Sequence, residues 1–325
     1  MMGAVRAWVV VILLGGCVNR GTREPLLQGI VQWRPDSVVR GPGIFESPVF
    51  EVEEFDRAVV SWNGAGEFGV ELTVRTLEWQ PWASVGRWGA RPEGAKSASG
   101  EVSVDVDTLS VRWPANAFRV RISIAAPSEI SLVSVAYWKS GWRRRFSSVP
   151  SAAWGRLLPV SERSQKTEDP SVSGRLCSPT SVAMVLDFYG IHVKTREVAD
   201  GVYDHASDVY GNWAFNVAHV HRLSGGKLEA AVARGGGLED VESEIAAGRP
   251  VVLSHRWSPG ELDGAPVESS DGHLVVVVGF TKEGDAIVND PAGAPGQVRR
   301  VYRRAQIHHT WLMRGSGVFY RVKPR

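Results

Sequence analysis

The sequence predicts an α+β chain in two parts, an all-β first half followed by a half in which helices precede an antiparallel sheet. From about 30 to 142, apolar residues alternate with polar ones, as in Val70, Leu72 and Val74 against Glu71, Thr73 and Arg75. Strict alternation marks a half-buried strand. After Leu157 the period changes: Val182, Val185, Leu186 and Tyr189 share one face of a helix, and Val-rich runs follow further on. Helices first and strands afterwards is an α+β order.

Residues 1–16 stand outside that fold. Arg6 is the only charge before the apolar run Ala7 to Leu14, and Leu14-Gly15-Gly16-Cys17 follows. So short a run cannot cross a hydrocarbon core of ~30 Å, which takes ~20 residues of helix. The pattern reads as a secretory signal with a short apolar region and small residues at the cleavage site. A Cys after two small residues resembles the bacterial lipobox, which implies cleavage before Cys17, lipid on its sulfur, and export to a membrane-anchored place in the cell envelope. An ordinary signal peptide with an incidental Cys is the alternative. Residues 17–29 are then the lipidated Cys and a polar tether interrupted by Gly and Pro.

The β half, 30–142, adds Val102, Val104 and Val106, and Phe118, Val120, Ile122 and Ile124, as alternating runs separated by Gly or Pro clusters. Several such strands without a helix predict a β-sandwich or jelly roll. Eight Trp lie in this segment, and core packing competes with stacking on sugar rings as their use. Trp79, Trp82 and Trp88 fall in a Pro/Gly-rich stretch and are expected to be the most exposed. Residues 143–156 read as a linker, with Arg143-Arg144-Arg145 on its solvated edge. A formal charge of +2 with no other basic cluster supplies no nucleic-acid footprint.

In the half from 157 to 325, a helix is expected from Pro179 to Tyr189, with Gly190 as its stop. Further helices are expected at 196–202, 212–223 and 238–247, and strands at 250–254, 273–280, 285–289, 298–302 and 317–323. No cofactor motif appears. His219 and His221, two apart on a predicted helix, face different ways and do not make a metal pair.

The chain has only two Cys, so a lipidated Cys17 leaves Cys177 as a lone thiol in an exported protein. Cys177 lies directly before the helix predicted from Pro179, where unpaired N–H groups and the helix dipole stabilise a thiolate. A buried structural Cys is the other reading. Among eight His, His273 stands out, a polar ring after Gly272 at the head of the apolar run Leu274 to Val278. With a two-residue Glu283-Gly284 turn, alternation puts Asp290 on the face of His273 and Asn289 on the opposite one, with Asp290 about four residues short of direct opposition. Strand twist or a bulge has to close that gap.

Gln165, then Cys177-Ser178-Pro179-Thr180-Ser181, Gly272-His273 and Asn289-Asp290-Pro291 together resemble the bacteriocin-processing peptidase group, peptidase family C thirty-nine, especially its exported members. The resemblance covers 157–325 and implies a papain-like cysteine peptidase domain. It implies Cys177 as nucleophile, His273 as general base and acid, Asp290 as the group holding the imidazole, and Gln165 as an oxyanion-hole donor. For Gln165 an ordinary surface glutamine is the alternative. Many members carry Gly directly after the Cys, where this chain has Ser178. The expected activity is hydrolysis of peptide bonds in a peptide or protein, with cell-wall amides, acyl transfer or an inactive binding domain as rival outcomes. Every candidate residue lies beyond 157, so that half is expected to fold and react without the β half.

If the lipobox reading holds, Cys17→Ser releases the protein from the membrane fraction or blocks its processing. Fractionation followed by immunoblotting checks this, and unchanged membrane association in the variant would sink the reading.

Overall fold

The computed structural model describes residues 9–12, 28–35 and 42–325. Cys17, the signal segment other than 9–12 and the tether up to residue 27 lie outside the described residues. The first half is β throughout: β1 (Val9–Ile12), β2 (Gln28–Trp33), β3 (Gly43–Glu46), β4 (Phe50–Ala65), β5 (Phe68–Arg75), β6 (Ala83–Trp88), β7 (Ala95–Ser99), β8 (Val102–Val106), β9 (Thr108–Ile124) and β10 (Glu129–Trp138). The order is β1-β2-β10-β4-β9-β5-β6, with β3 and β8 also on β9, and β7 on β8; contrary to the expectation that residues 1–16 stand outside the fold, Val9–Ile12 pairs along β2. The long strands make this continuity. β9 pairs with β8 through Thr108–Val111 and with β5 through Ala117–Ile124, and its register with β4 shifts between these parts. The inward positions of the alternation, Val70, Leu72, Val120 and Ile122, are fully buried.

Half of the eight Trp are core residues. Trp33, Trp62 and Trp138 are buried, while Trp79 and Trp113 are exposed. Trp88 departs from expectation and is buried, because its ring packs 5.7 Å from that of Phe215 in the second half.

That half contains α1 (Cys177–Phe188), α2 (Thr195–Val202), α3 (Trp213–Leu223), β11 (Leu228–Arg234), α4 (Leu238–Ala246), β12 (Val251–Trp257), β13 (Ser270–Phe280), β14 (Ala286–Asn289), β15 (Arg299–Tyr302), α5 (Arg304–His308) and β16 (Val318–Pro324). Its sheet runs β11-β16-β12-β13-β14-β15, antiparallel at every junction. The expected helices and strands are present to within a few residues. β11 and α5 were not anticipated.

β11 escaped because its sequence, Leu-Glu-Ala-Ala-Val-Ala-Arg, shows no alternation, and all seven residues are buried. One edge pairs with β16. The other meets β4, whose side chains stand in for a neighbouring strand. Asn63 Nδ2 donates to the Ala230 carbonyl at 2.6 Å, Ala230 N–H donates to Asn63 Oδ1 at 3.1 Å, and Val232 N–H donates to Ser61 Oγ at 3.1 Å. The charged ends are paired. Glu229 is 2.6 Å from Arg34, and Arg234 donates to Gln28 Oε1 and the Trp142 carbonyl. The tether therefore ends at residue 27, since Gln28 is already buried in β2.

Two further expectations are corrected. Residues 143–156 are docked along the second half rather than spanning a gap. Arg144 N–H donates to the Gly236 carbonyl at 2.8 Å and its side chain pairs with Asp240, while Trp154 Nε1 donates to Glu242 Oε1 at 2.7 Å. The structure also opposes independence of the second half. Trp62, Trp88 and Phe215 join the two cores, and removing the β half would leave β11's edge and the Phe215 face of α3 in water.

Asn63→Ala removes the partner of both Ala230 backbone groups in the interior. It is expected to destabilise the whole chain by about 2–4 kcal/mol, with one cooperative transition retained. Urea denaturation followed by tryptophan fluorescence measures it, and a loss confined to the first half would contradict the shared core.

Candidate active site

Cys177 is the first residue of α1, which begins two residues before the expected start at Pro179, and is partly exposed. From Ser178 to Leu186 the helix is buried, which fixes its N-terminus against the sheet. Ser181 Oγ donates to the Leu274 carbonyl at 3.2 Å, one residue beyond His273. Ser178 is fully buried, and its hydroxyl pairs with Tyr320 Oη of β16 at 2.9 Å. This pair fastens the turn at Cys177 to β16.

His273 and Asp290 meet as expected, but by a different route. The turn spans Thr281–Asp285, with Thr281 N–H donating to the Asp285 carbonyl at 2.9 Å, and Phe280 pairs with Ala286. Continued regularly, this longer turn would put Asp290 on the wrong face. A bulge at Val278 shifts the register to Val277–Val288 and Val276–Asn289. It returns Asp290 to the His273 face and, by continuation, brings it opposite Val275. The bulge sits where residues 154–158 join β13, with Leu158 N–H donating to the Val278 carbonyl at 2.7 Å. Gly279 is required there, since a Cβ would meet the Arg156 carbonyl oxygen.

His273 Nε2 lies 2.7 Å from Asp290 Oδ1. That leaves Nδ1 as the ring nitrogen available to the Cys177 thiol, whose pKa the neighbouring His273 lowers. Asp290 is fully buried. Its other oxygen accepts from Tyr302 Oη at 2.6 Å, and Ala292 N–H donates to Oδ1 at 2.9 Å. Asn289 points away: its Nδ2 donates to the carbonyls of Val160 and Ser161 at 3.3 and 3.2 Å, and Arg299 Nε donates to its Oδ1 at 2.9 Å.

Tyr302 and His255 were missed by sequence reasoning. His255 pairs directly with His273 across β12 and β13. It is buried, with Nδ1 3.2 Å from Thr310 Oγ1. Trp257 sets its ring 5.6 Å from that of His273 at 75°. Only Tyr302's position at the end of a predicted strand could have hinted at its role. Gln165 opens a short turn, Gln165–Thr167, beside this group, and its N–H donates to the Pro291 carbonyl at 2.9 Å. The turn packs on Ser173–Arg175, which leads into Cys177. Gln165 is buried, and its Oε1 has no hydrogen-bond partner among the described residues. It is not an ordinary surface residue.

A cleft of about 530 Å³ opens beside Cys177 and takes in Gly174, His255, Gly272 and Leu274. Burial opposes charge on both members of the thiol–imidazole pair, yet their partners prevail. Desolvation raises the Cys177 pKa, while the His273 ring and the N–H groups of Leu274 and Ser178 bring it below the ordinary thiol value. Desolvation likewise lowers His273, but Asp290 and the thiol carry it up to about 10. Against its own desolvation, Asp290 is held at about 2 by His273, Tyr302 and the Ala292 N–H. His255 is pushed down to about 3, by burial and by the neighbouring His273 charge, and stays neutral. The arrangement favours a thiolate beside an imidazolium, the form able to attack a carbonyl.

Residues 157–318 match the family model described as the Peptidase_C39 like family. This half of the chain belongs to that family. One solved structure, a double glycine motif protease from an AMS/PCAT transporter in complex with its leader peptide, is 23% identical, with 53% of this chain and 95% of that one covered and a TM-score of 0.33. No curated protein matches the chain. Of the four motif residues named from the sequence, Cys177 lines the cleft, His273 and Asp290 are paired with each other on β13 and at the end of β14, and Gln165 lies on the turn that packs on Ser173–Arg175.

His273 has its pKa raised by folding, so its contribution to stability is complete below the ~6.5 of an unfolded histidine and is lost as pH rises through about 10. Asp290 is depressed and contributes above ~3.9, losing this as pH falls through about 2. Asp290→Asn removes the charge that favours the imidazolium, so the His273 titration should fall by at least about one unit. Nitrogen-15 NMR of the imidazole measures it, and an unmoved titration would show that Asp290 does not set the charge of His273.

Proposed function

We propose that this chain is an exported cysteine peptidase, held at a membrane of the cell envelope by lipid on Cys17, which hydrolyses peptide bonds through Cys177, His273 and Asp290. The observation that carries this reading is the chain of contacts from the Cys177 thiol to His273, and from His273 at 2.7 Å to a carboxylate sealed from water. A structural Cys needs neither a helix N-terminus nor an imidazolium partner.

In the forward step the Cys177 thiolate attacks the peptide carbonyl carbon. The oxyanion that forms is received by the Cys177 N–H and the side-chain amide of Gln165. His273 gives its Nδ1 proton to the leaving nitrogen, the C–N bond breaks, and an acyl-thioester remains. Water then gives a proton to the neutral imidazole, attacks the thioester, and releases the acid with return of the thiolate. Asp290 stays ionised throughout and fixes the ring through Nε2, while Tyr302 holds the carboxylate. The buried neutral His255 and the Trp257 ring occupy the space behind His273 and keep water from it.

Cys177→Ala is expected to lower kcat by at least about 1,000-fold. Native protein should also alkylate with iodoacetamide at neutral pH faster than urea-unfolded protein, because only folding lowers the thiol pKa. Equal rates in the two states would count against the reading. Asp290→Ala should cripple turnover in a folded protein, whereas Asn289→Ala should act on stability through residues 160–161 and leave the chemistry largely intact.

A further inference from the structure

The cleft beside Cys177 is not enclosed by the peptidase half alone. Part of its lining is Asp105, Val106 and Asp107, the turn that joins β8 to β9 in the β half. The segment 203–213 of the peptidase half brings Val209, Tyr210, Gly211 and Trp213 into the same cleft. Residues 203–212 of this segment lie between α2 and α3 with no regular strand or helix of their own, so its shape depends on what holds it.

The β half holds it at three points. Trp213 N–H donates to Asp107 Oδ2 at 2.6 Å, Gly94 N–H donates to Asp204 Oδ1 at 2.8 Å, and His205 N–H donates to the Pro92 carbonyl at 3.0 Å. Asp204 is fully buried and passes this anchorage inward, accepting also from Ala206 N–H and Asn212 Nδ2, both at 3.0 Å. The Asp107 side chain thus sits at the first turn of α3, where the unpaired N–H groups favour a polar acceptor, while burial pushes its pKa up to about 7. Its own position costs backbone strain, since Val106 has φ of +60°, a region that a β-branched residue rarely enters.

We propose that the 105–107 turn of the β half is a wall of the substrate cleft, and that Asp107 is a positioning residue that holds residues 209–213 in the shape that receives an extended peptide. The proposal rests on the peptidase reading of Cys177. Asp107 touches no reacting atom; it acts through the Trp213 N–H and the segment leading to it. The β half is then a component of the peptidase, which gives a physical reason for the two halves to share a core rather than be joined by a flexible spacer.

The test uses the full chain and two kinds of reagent. Iodoacetamide reads the thiolate alone, whereas peptidyl acyloxymethyl ketones of one to four residues read the cleft through their saturation constant KI. In wild type, KI should tighten as the peptide lengthens. Asp107→Ala should weaken KI for the longest reagent at least about fivefold, or about 1 kcal/mol, while the iodoacetamide rate stays within about twofold. Asp107→Asn keeps an acceptor for Trp213 N–H and should restore KI. Gly94→Ala is the second variant, because its Cβ would press on the Asp204 carboxylate and on the Val106 carbonyl, and it should weaken KI in the same way. Hydrogen exchange across 203–213 should quicken in Asp107→Ala and Gly94→Ala but not in Asp107→Asn. Unchanged KI or unchanged exchange in Asp107→Ala overturns the proposal, as does an iodoacetamide rate that falls in proportion to KI. An unreactive wild-type thiol overturns the peptidase reading alone, and hydrogen exchange then still decides whether the β half clamps 203–213.

Discussion

A pair of opposite charges removed from water, the His273 imidazolium and the Asp290 carboxylate, is the constraint around which the peptidase half is arranged. Burying either ion alone costs several kcal/mol, and their attraction offsets this only when the remaining lone pairs and protons are also satisfied. The surrounding elements do that. β15 delivers the Tyr302 hydroxyl to one oxygen, the turn after Asp290 delivers the Ala292 N–H to the other, and α1 presents the thiol to the free ring nitrogen. A second histidine beside the first could have competed for the charge. Burial removes that competition by keeping His255 neutral.

The same logic of satisfied backbone ties the two halves together. β11 is an edge strand, and an edge strand with an unpaired ladder is a liability in water. Here the ladder is completed by the side chains of Asn63 and Ser61, an arrangement that works only if β4 stays in place. Around it, Trp62, Trp88 and Phe215 exclude solvent. Paired at both edges and buried on every side chain, β11 can carry Glu229 and Arg234 in the interior because each meets an opposite charge or an acceptor.

Local chemistry made much of this legible. Alternation located the β half because one face of each strand meets water, and the 3.6-residue period located the helices for the same reason. Cys177 could be singled out because its place at the start of a helix is a local property, and His273 because a polar ring heading an apolar run is conspicuous. Asp290 was assigned to the right face by an inexact route. The real turn is longer than the one assumed, and the bulge at Val278 reversed that error. β11 and the burial of Trp88 were illegible, because both depend on contacts between residues more than a hundred positions apart.

The sequence by itself therefore determined which side chains could do chemistry and on which elements they sit, since these follow from residue type and near-neighbour pattern. Only the tertiary structure decided how they meet. The bulge that aligns Asp290, the Tyr302 hydroxyl that satisfies it, the neutral state of His255 and the entry of the 105–107 turn into the cleft all arise from burial and long-range pairing. Desolvation is a property of everything packed around a group, and no local stretch of sequence carries it.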